Sequence, residues 1–197
     1  MSKSDFFYVN IRSYLANDSS VKELNEILDG YECPLNEDVE HFLKYTAVEF
    51  AERNQSVSYL VFSTEDGALL GYFTIAIKAI TVRIEAISNT VSRKLSRIAD
   101  YDTETSSYTI PAFLIAQLGK NYADGMNKRI EGSELLEMAW SVIKETQYAV
   151  GGIVAFLEAE NNNELLNFYS VKNNFRKFDV RGSSSTGKEL VQLLKLL

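Results

Sequence analysis

Residues 116–140 read AQLGKNYADGMNKRIEGSELLEMAW. The first of them complete the apolar run IPAFLIAQLGKN (110–121), which has the character of a strand buried on both faces. The last of them open GSELLEMAWSVIKETQ (132–147), where Leu135, Leu136, Ala139, Trp140 and Ile143 recur at helical spacing and face inward. A buried strand that passes through a loop into a helix sets the helix's unpaired N–H groups, and the positive end of its dipole, at the strand's end. That arrangement attracts a diphosphate. Lys128 and Arg129 add positive charge beside it, and Gly132 lets the backbone approach a ligand closely.

Working outward, DFFYVNIRSYL (5–15) alternates as an aromatic, β-branched strand. SSVKELNEILDGYE (19–32) has serines to cap a helix, puts Val21, Leu24, Ile27 and Leu28 on one face, and stops at Gly30. After Pro34, NEDVEHFLKYTAVEFAERN (36–54) reads as a second amphipathic helix capped by Asn36. Two strands, SVSYLVFST (56–64) and ALLGYFTIAIKAI (68–80), meet at the hairpin signal Asp66-Gly67. The pattern then changes. Ile84, Ile87, Val91, Leu95 and Ile98 are spaced for one helix over 83–101, a helical insertion at about 81–109 that closes with the polar loop DTETSSYT. GIVAFLEAE (152–160) is another buried strand and NNELLNFYSVKNN (162–174) another helix. FRKFDV (175–180) and ELVQLLKLL (189–197) are closing strands.

The 197 residues, 46% hydrophobic and 24% charged, have the balance of a soluble globular domain. No apolar run approaches the ~18 residues a membrane span needs. Asp5, Asn10 and Arg12 interrupt what would be a signal peptide's apolar core, so a cytoplasmic location is expected. A single cysteine, Cys33, allows no intrachain disulfide, and with one histidine, His41, there is no Cys/His zinc site. Cys33 has no basic neighbour in sequence to activate it, and His41 reads as a surface or half-buried side chain. The net charge of −7 disfavours broad contact with phosphate backbones, although SRKLSR (92–97) is a local basic patch. One string imitates a P-loop: Gly182, then Gly187-Lys188. Glu189 stands where the motif needs Ser or Thr, and the nine residues after Lys188 leave no room for the required helix and fold. It reads as a hairpin loop.

Two stretches resemble the GNAT superfamily of N-acetyltransferases. NKRIEGSELL matches in part the family's R/Q-x-x-G-x-G/A acetyl-CoA loop: Gly132 falls on the last Gly/Ala, Asn127 stands for Arg/Gln, and Ile130 replaces the first Gly. Ile does not readily take positive φ. FLEAENNNELLNFYSVKNNF looks like the family's strand, Asn-containing turn and helix carrying a Tyr before Gly-Phe. Tyr169 matches the tyrosine, Asn173 the Gly, and Phe175 the Phe one residue late. The element order agrees along nearly the whole chain. YTIPAFLIAQLGKN behind a helical insertion is similar to the branch that includes toxins acetylating the amino group of aminoacyl-tRNA, which are usually basic.

The resemblance implies an α/β (α+β) GNAT-like acyl-CoA N-acyltransferase fold over 1–197 as a single domain. Its mixed, mostly antiparallel central sheet has a splayed pair of strands and is flanked by helices. It implies acetyl-CoA as acyl-donor cosubstrate, no metal, and transfer to a primary amine by direct attack in a ternary complex. The acceptor is a small molecule or a peptide or aminoacyl amine. No general nucleic-acid or membrane binding is expected; tRNA enters only under the toxin-like alternative, and a non-catalytic CoA-binding module is the other. The oligomeric state is left open, a homodimer included. By the same resemblance Leu118 supplies the oxyanion N–H and Tyr169 the proton for the thiolate. Leu118, Gly119, Lys120, Lys128, Arg129, Ile130, Glu131, Gly132, Ser133 and Asn162 hold the cofactor. Glu158 and Glu160 share a strand face by the period of two, and Glu158 is the candidate base.

Overall fold

The computed structural model describes residues 5–182 and 189–197. Eight strands form one sheet in the order β1-β2-β3-β5-β6-β8-β7, with β4 pairing β5 off this path. The chain divides into two compact bodies, Met1–Ala76 with Ala116–Val142, and Ile77–Ile115 with Ile143–Leu197.

In the first body β1 (Phe6–Asn10) pairs antiparallel with β2 (Val57–Ser63), and β2 with β3 (Leu69–Arg83). Gly67 takes φ 71° in the β2–β3 turn, a left-handed conformation that the Asp66-Gly67 pair anticipates. Helix α1 (Asp18–Asp29) is capped by Asn17, whose side chain accepts from the Ser20 N–H at 3.0 Å; the serines expected in that role lie inside the helix. Asn36 does cap α2 (Glu37–Tyr45). The expected single helix over 36–54 is divided at Thr46, where φ reaches −124°, and α3 (Ala47–Glu52) follows. The ladder persists through the kink, because Thr46 N–H bonds Phe42 C=O at 2.9 Å and Thr46 C=O accepts from Phe50 N–H at 3.0 Å. Leu24, Leu28, Val39, Leu43 and Ala47 from these helices pack with Leu60, Phe62 and Tyr72. Leu60 and Phe62 share a face because strand side chains alternate. Each large side chain so buried contributes about 1.5–3 kcal/mol.

In the second body β4 (Asp100–Asp102) pairs antiparallel with β5 (Ser107–Lys120), and β5 pairs parallel with β6 (Val154–Glu160). β8 (Glu189–Leu196) lies antiparallel to both β6 and β7 (Arg176–Gly182). The β5–β6 register covers Phe113 opposite Ala155 through Ile115 opposite Leu157. The helix expected over 83–101 is the main departure. β3 runs on to Arg83, a 3-10 turn covers Ile84–Ala86, and only Asn89–Leu95 (α4) is α-helical. Ile87 is extended, and the Ser88 hydroxyl caps α4 from within the apolar run, so a period of 3–4 is shared among three elements. Helix α5 (Gly132–Val150) forms as its spacing indicates. The stretch 183–188, which holds most of the P-loop-like string, lies outside the described residues.

At the end of β5 two glycines answer to close approach. A Cβ on Gly71 would sit 2.6 Å from the Gly119 carbonyl oxygen. A Cβ on Gly119 would collide with the Tyr31 hydroxyl and lie 2.6 Å from Val39 Cγ1. Tyr31 is fully buried, and among the described residues its hydroxyl has no partner better than the weakly hydrogen-bonding Cys33 thiol. Gly119→Ala is therefore expected to destabilise the fold by about 1–3 kcal/mol through overpacking. Tyr31→Phe, which removes the oxygen that a Gly119 Cβ would meet and a buried hydroxyl with only a thiol beside it, should recover part of that loss in the double variant. Urea unfolding of the four proteins measures both effects; equal losses with and without Tyr31→Phe would contradict the account.

Candidate active site

Beyond Gly119 the chain turns on a buried side chain that sequence reading passed over. Asn121, 4% exposed, accepts at Oδ1 from the N–H groups of Glu32 (3.0 Å) and Ala123 (3.1 Å) and donates from Nδ2 to the Leu69 carbonyl (2.9 Å). Its own N–H bonds Leu70 C=O at 2.8 Å, and the next N–H, of Tyr122, bonds Glu32 C=O at 2.8 Å. The end of β5 is thus tied at once to β3 and to the link between α1 and α2. The one signal in the sequence is an Asn directly after an apolar strand, a residue whose amide can bond nearby backbone in place of a ladder.

From there a 3-10 turn spans Ala123–Lys128, with Asp124 (φ 48°) and Gly125 (φ 74°) both left-handed. Lys120 Nζ closes the loop by donating to Asn127 C=O at 2.7 Å. Arg129 forms a two-pronged clasp on Asp66 (2.8 and 3.0 Å) and also bonds the Ser63 hydroxyl at 3.1 Å. Of the two cations expected beside a diphosphate, Arg129 is therefore engaged with protein, and exposed Lys128 is without a partner among the described residues. Ile130, 1% exposed, is a core residue and is not among the positive-φ positions, so its replacement of a motif glycine strains nothing here.

The start of α5 carries its own partial cap. The Glu134 carboxylate accepts from Glu131 N–H at 2.8 Å, while Glu131 C=O accepts from Glu134 and Leu135. The Glu134 contact is the carboxylate half of a capping box. The N–H groups of Gly132 and Ser133 follow in the first turn, where a helix leaves its donors unpaired. Leu118 is half-buried and Gly119 buried.

The second body holds Tyr169, Glu158 and Asn162. Asn162 caps the short helix α6 (Asn163–Leu166), accepting from Glu164 N–H at 2.8 Å. Its continuation, Asn167–Lys172, is π-helical and contains Tyr169. A π turn lodges one extra residue in the helix. That extra residue accounts for the late Phe175. Asn173, the residue expected to be left-handed, has φ −116° and instead donates from Nδ2 to Phe168 C=O at 2.8 Å. Asn174 takes φ 60°, so Asn174-Phe175 occupies the place of Gly-Phe. Phe175 N–H then bonds Tyr169 C=O at 3.0 Å, and the two rings meet edge to face at 6.1 Å. Burial of the Tyr169 hydroxyl pushes its pKa up to about 12. Glu158 accepts from Gln192 Nε2 at 2.6 Å and from Arg181 at 2.5 Å, so a base role would require one of those bonds to give way.

No protein-family model matches the sequence, and no curated protein matches it at a significant level. Solved structures do match. AtaT complexed with acetyl-methionyl-tRNAfMet has a TM-score of 0.62 at 18% identity, over 95% of this chain and 94% of that one. A tyrosine-to-phenylalanine mutant of KacT has a TM-score of 0.65 at 17% identity, over 98% and 95%. AtaTR bound with acetyl-CoA has 0.56 at 16%, over 98% and 93%. The chain has the GNAT fold that these proteins share.

The Asp66–Arg129 clasp has a pH signature. Hydrogen bonding from Arg129, with the Ala68 N–H assisting, holds the Asp66 pKa down to about 2. A depressed carboxylate stabilises the folded state above its unfolded pKa of about 3.9, and that contribution is lost as pH falls toward 2. An NMR titration should find the Asp66 midpoint near 2 and, in Arg129→Gln, near the ordinary value. A midpoint unmoved by the substitution would contradict the clasp.

Proposed function

We propose that the protein is an acetyl-CoA-dependent N-acetyltransferase that moves the acetyl group to a primary amine by direct attack in a ternary complex. The observation that carries the reading is Tyr169, a hydroxyl that stays protonated across the physiological range, on the helix where the family keeps its proton donor. The GNAT fold and the acetyl-CoA bound in AtaTR support the same cosubstrate.

In this reading the amine nitrogen attacks the thioester carbonyl, and the Leu118 N–H holds the oxyanion. The C–N bond forms as the C–S bond breaks, and Tyr169 gives its proton to the departing sulfur. The amine sheds its own proton to solvent or, through water, to Glu158. The diphosphate sits on the Gly132 and Ser133 N–H groups with Lys128 beside it and the Ile130–Glu131 backbone adjoining, and the Glu131 N–H joins them only where the Glu134 carboxylate releases it. Gly119 and Lys120 line the pantetheine arm, with Asn162 contributing from the start of α6. Arg129 acts through Asp66 by fixing the loop. An aminoacyl-tRNA acceptor is a second reading, favoured by the match to AtaT in complex with acetyl-methionyl-tRNAfMet. The net charge of −7 weighs against the broad phosphate contact that tRNA invites.

Tyr169→Phe is expected to lower kcat by about 10²- to 10⁴-fold while leaving acetyl-CoA affinity within a few-fold, the range for a lost general acid. Release of CoA thiol from acetyl-CoA in the presence of an amine panel and of charged tRNA measures kcat, and calorimetry measures affinity. Turnover unaffected by the substitution removes Tyr169 from the chemistry; absence of any acetyl-CoA binding removes the function.

A further inference from the structure

A second concavity lies wholly within the first body, bounded by α1, the β2–β3 turn and the loop after β5. Its volume is about 620 Å³, inside the roughly 300–1,000 Å³ range of ligand sites. Its lining mixes two chemistries. Phe7 stacks on Phe62 at 5.5 Å yet remains 44% exposed, and Ile27 adds apolar surface from α1. Glu23 and Glu26, also on α1, and Asp124 on the loop supply three carboxylates. These three are exposed, and among the described residues none has an ion-pair partner and no Lys or Arg lines the cavity. Burial and the nearby Glu23 carboxylate together raise the pKa of Tyr14, whose ring forms part of the same wall.

An exposed apolar patch rimmed by polar groups marks an interaction site, and unanswered carboxylates on that rim specify a cationic complement. We propose that this cleft docks a basic peptide segment of a partner protein. One apolar side chain seats on Phe7 and Phe62, and flanking Lys or Arg side chains meet Glu23, Glu26 and Asp124. The distribution of charge favours a peptide over a compact organic cation. Glu23 and Glu26 are one helical turn apart on α1, and Asp124 stands on a different wall, a spread that consecutive residues of an extended segment, at about 3.3–3.6 Å each, can follow. This inference is independent of the acetyl-transfer reading, since none of the residues it uses is assigned to that site.

The test uses the full-length, ¹⁵N-labelled protein and the acetylated hexapeptide Lys-Lys-Leu-Phe-Lys-Lys. Saturable shifts are expected at the Phe7, Ile27 and Asp124 amides. Affinity should fall at least 10-fold when Leu-Phe is replaced by Ser-Ser, and at least 10-fold for the double variant Glu23→Lys/Glu26→Lys. Glu23→Gln/Glu26→Gln should fall between that variant and wild type, which keeps the test open if charge reversal disturbs folding; matched melting curves check this. Shifts located elsewhere, or affinity unchanged in both double variants, would overturn the proposal. So would spermidine or the Ser-Ser peptide binding as tightly as the parent peptide, since charge alone would then be the whole interaction.

Discussion

Asn121 makes three side-chain hydrogen bonds and one backbone bond inside the protein, and with them it fixes where β5 ends and the loop to α5 begins. Its amide is read one way only. Two N–H groups point at Oδ1 and a carbonyl receives Nδ2, so a reversed amide would face donors with donors. An aspartate there would lose the donation to Leu69 and present charge to a carbonyl. Because the site is buried, any unsatisfied group left by a substitution costs its full desolvation. The turn out of β5 is therefore a single arrangement, and the amides at the start of α5 inherit their position from it.

Charge in the loop follows from the same constraint. Arg129 looks from sequence like a ligand for a diphosphate, yet it completes a contact within the first body, on Asp66, and the Lys120 ammonium is likewise taken up by Asn127. Ile130 likewise serves the core, where a glycine would leave space. What remains for an anion is the first turn of a 19-residue helix and one exposed lysine. Backbone donors with the helix dipole behind them are a general solution to diphosphate binding and ask little of side chains. That explains how a motif matched only in part is compatible with the site proposed for it.

The strands were legible because their apolar runs are long and bounded by turn residues, and Asn36 announced α2 because a cap is a local event. The misreadings have local causes too. Ile84 to Ile98 keep a helical period, yet the Ser88 hydroxyl starts the helix only at Asn89. Asn173 and Asn174 are equally suited to a left-handed turn, and the π turn upstream, which no residue type signals, gives it to Asn174. Asn121 was illegible for a different reason: its partners Glu32 and Leu69 are 89 and 52 residues away, and nothing local records a bond of that length.

In the function proposed here the donors opening α5 receive the diphosphate of acetyl-CoA. Amide resonances report this directly when acetyl-CoA is compared with acetylpantetheine, which carries the thioester but no diphosphate. Gly132 and Ser133 should show large, saturable shifts with acetyl-CoA and none with acetylpantetheine. Saturation by acetyl-CoA with both amides unmoved would contradict it.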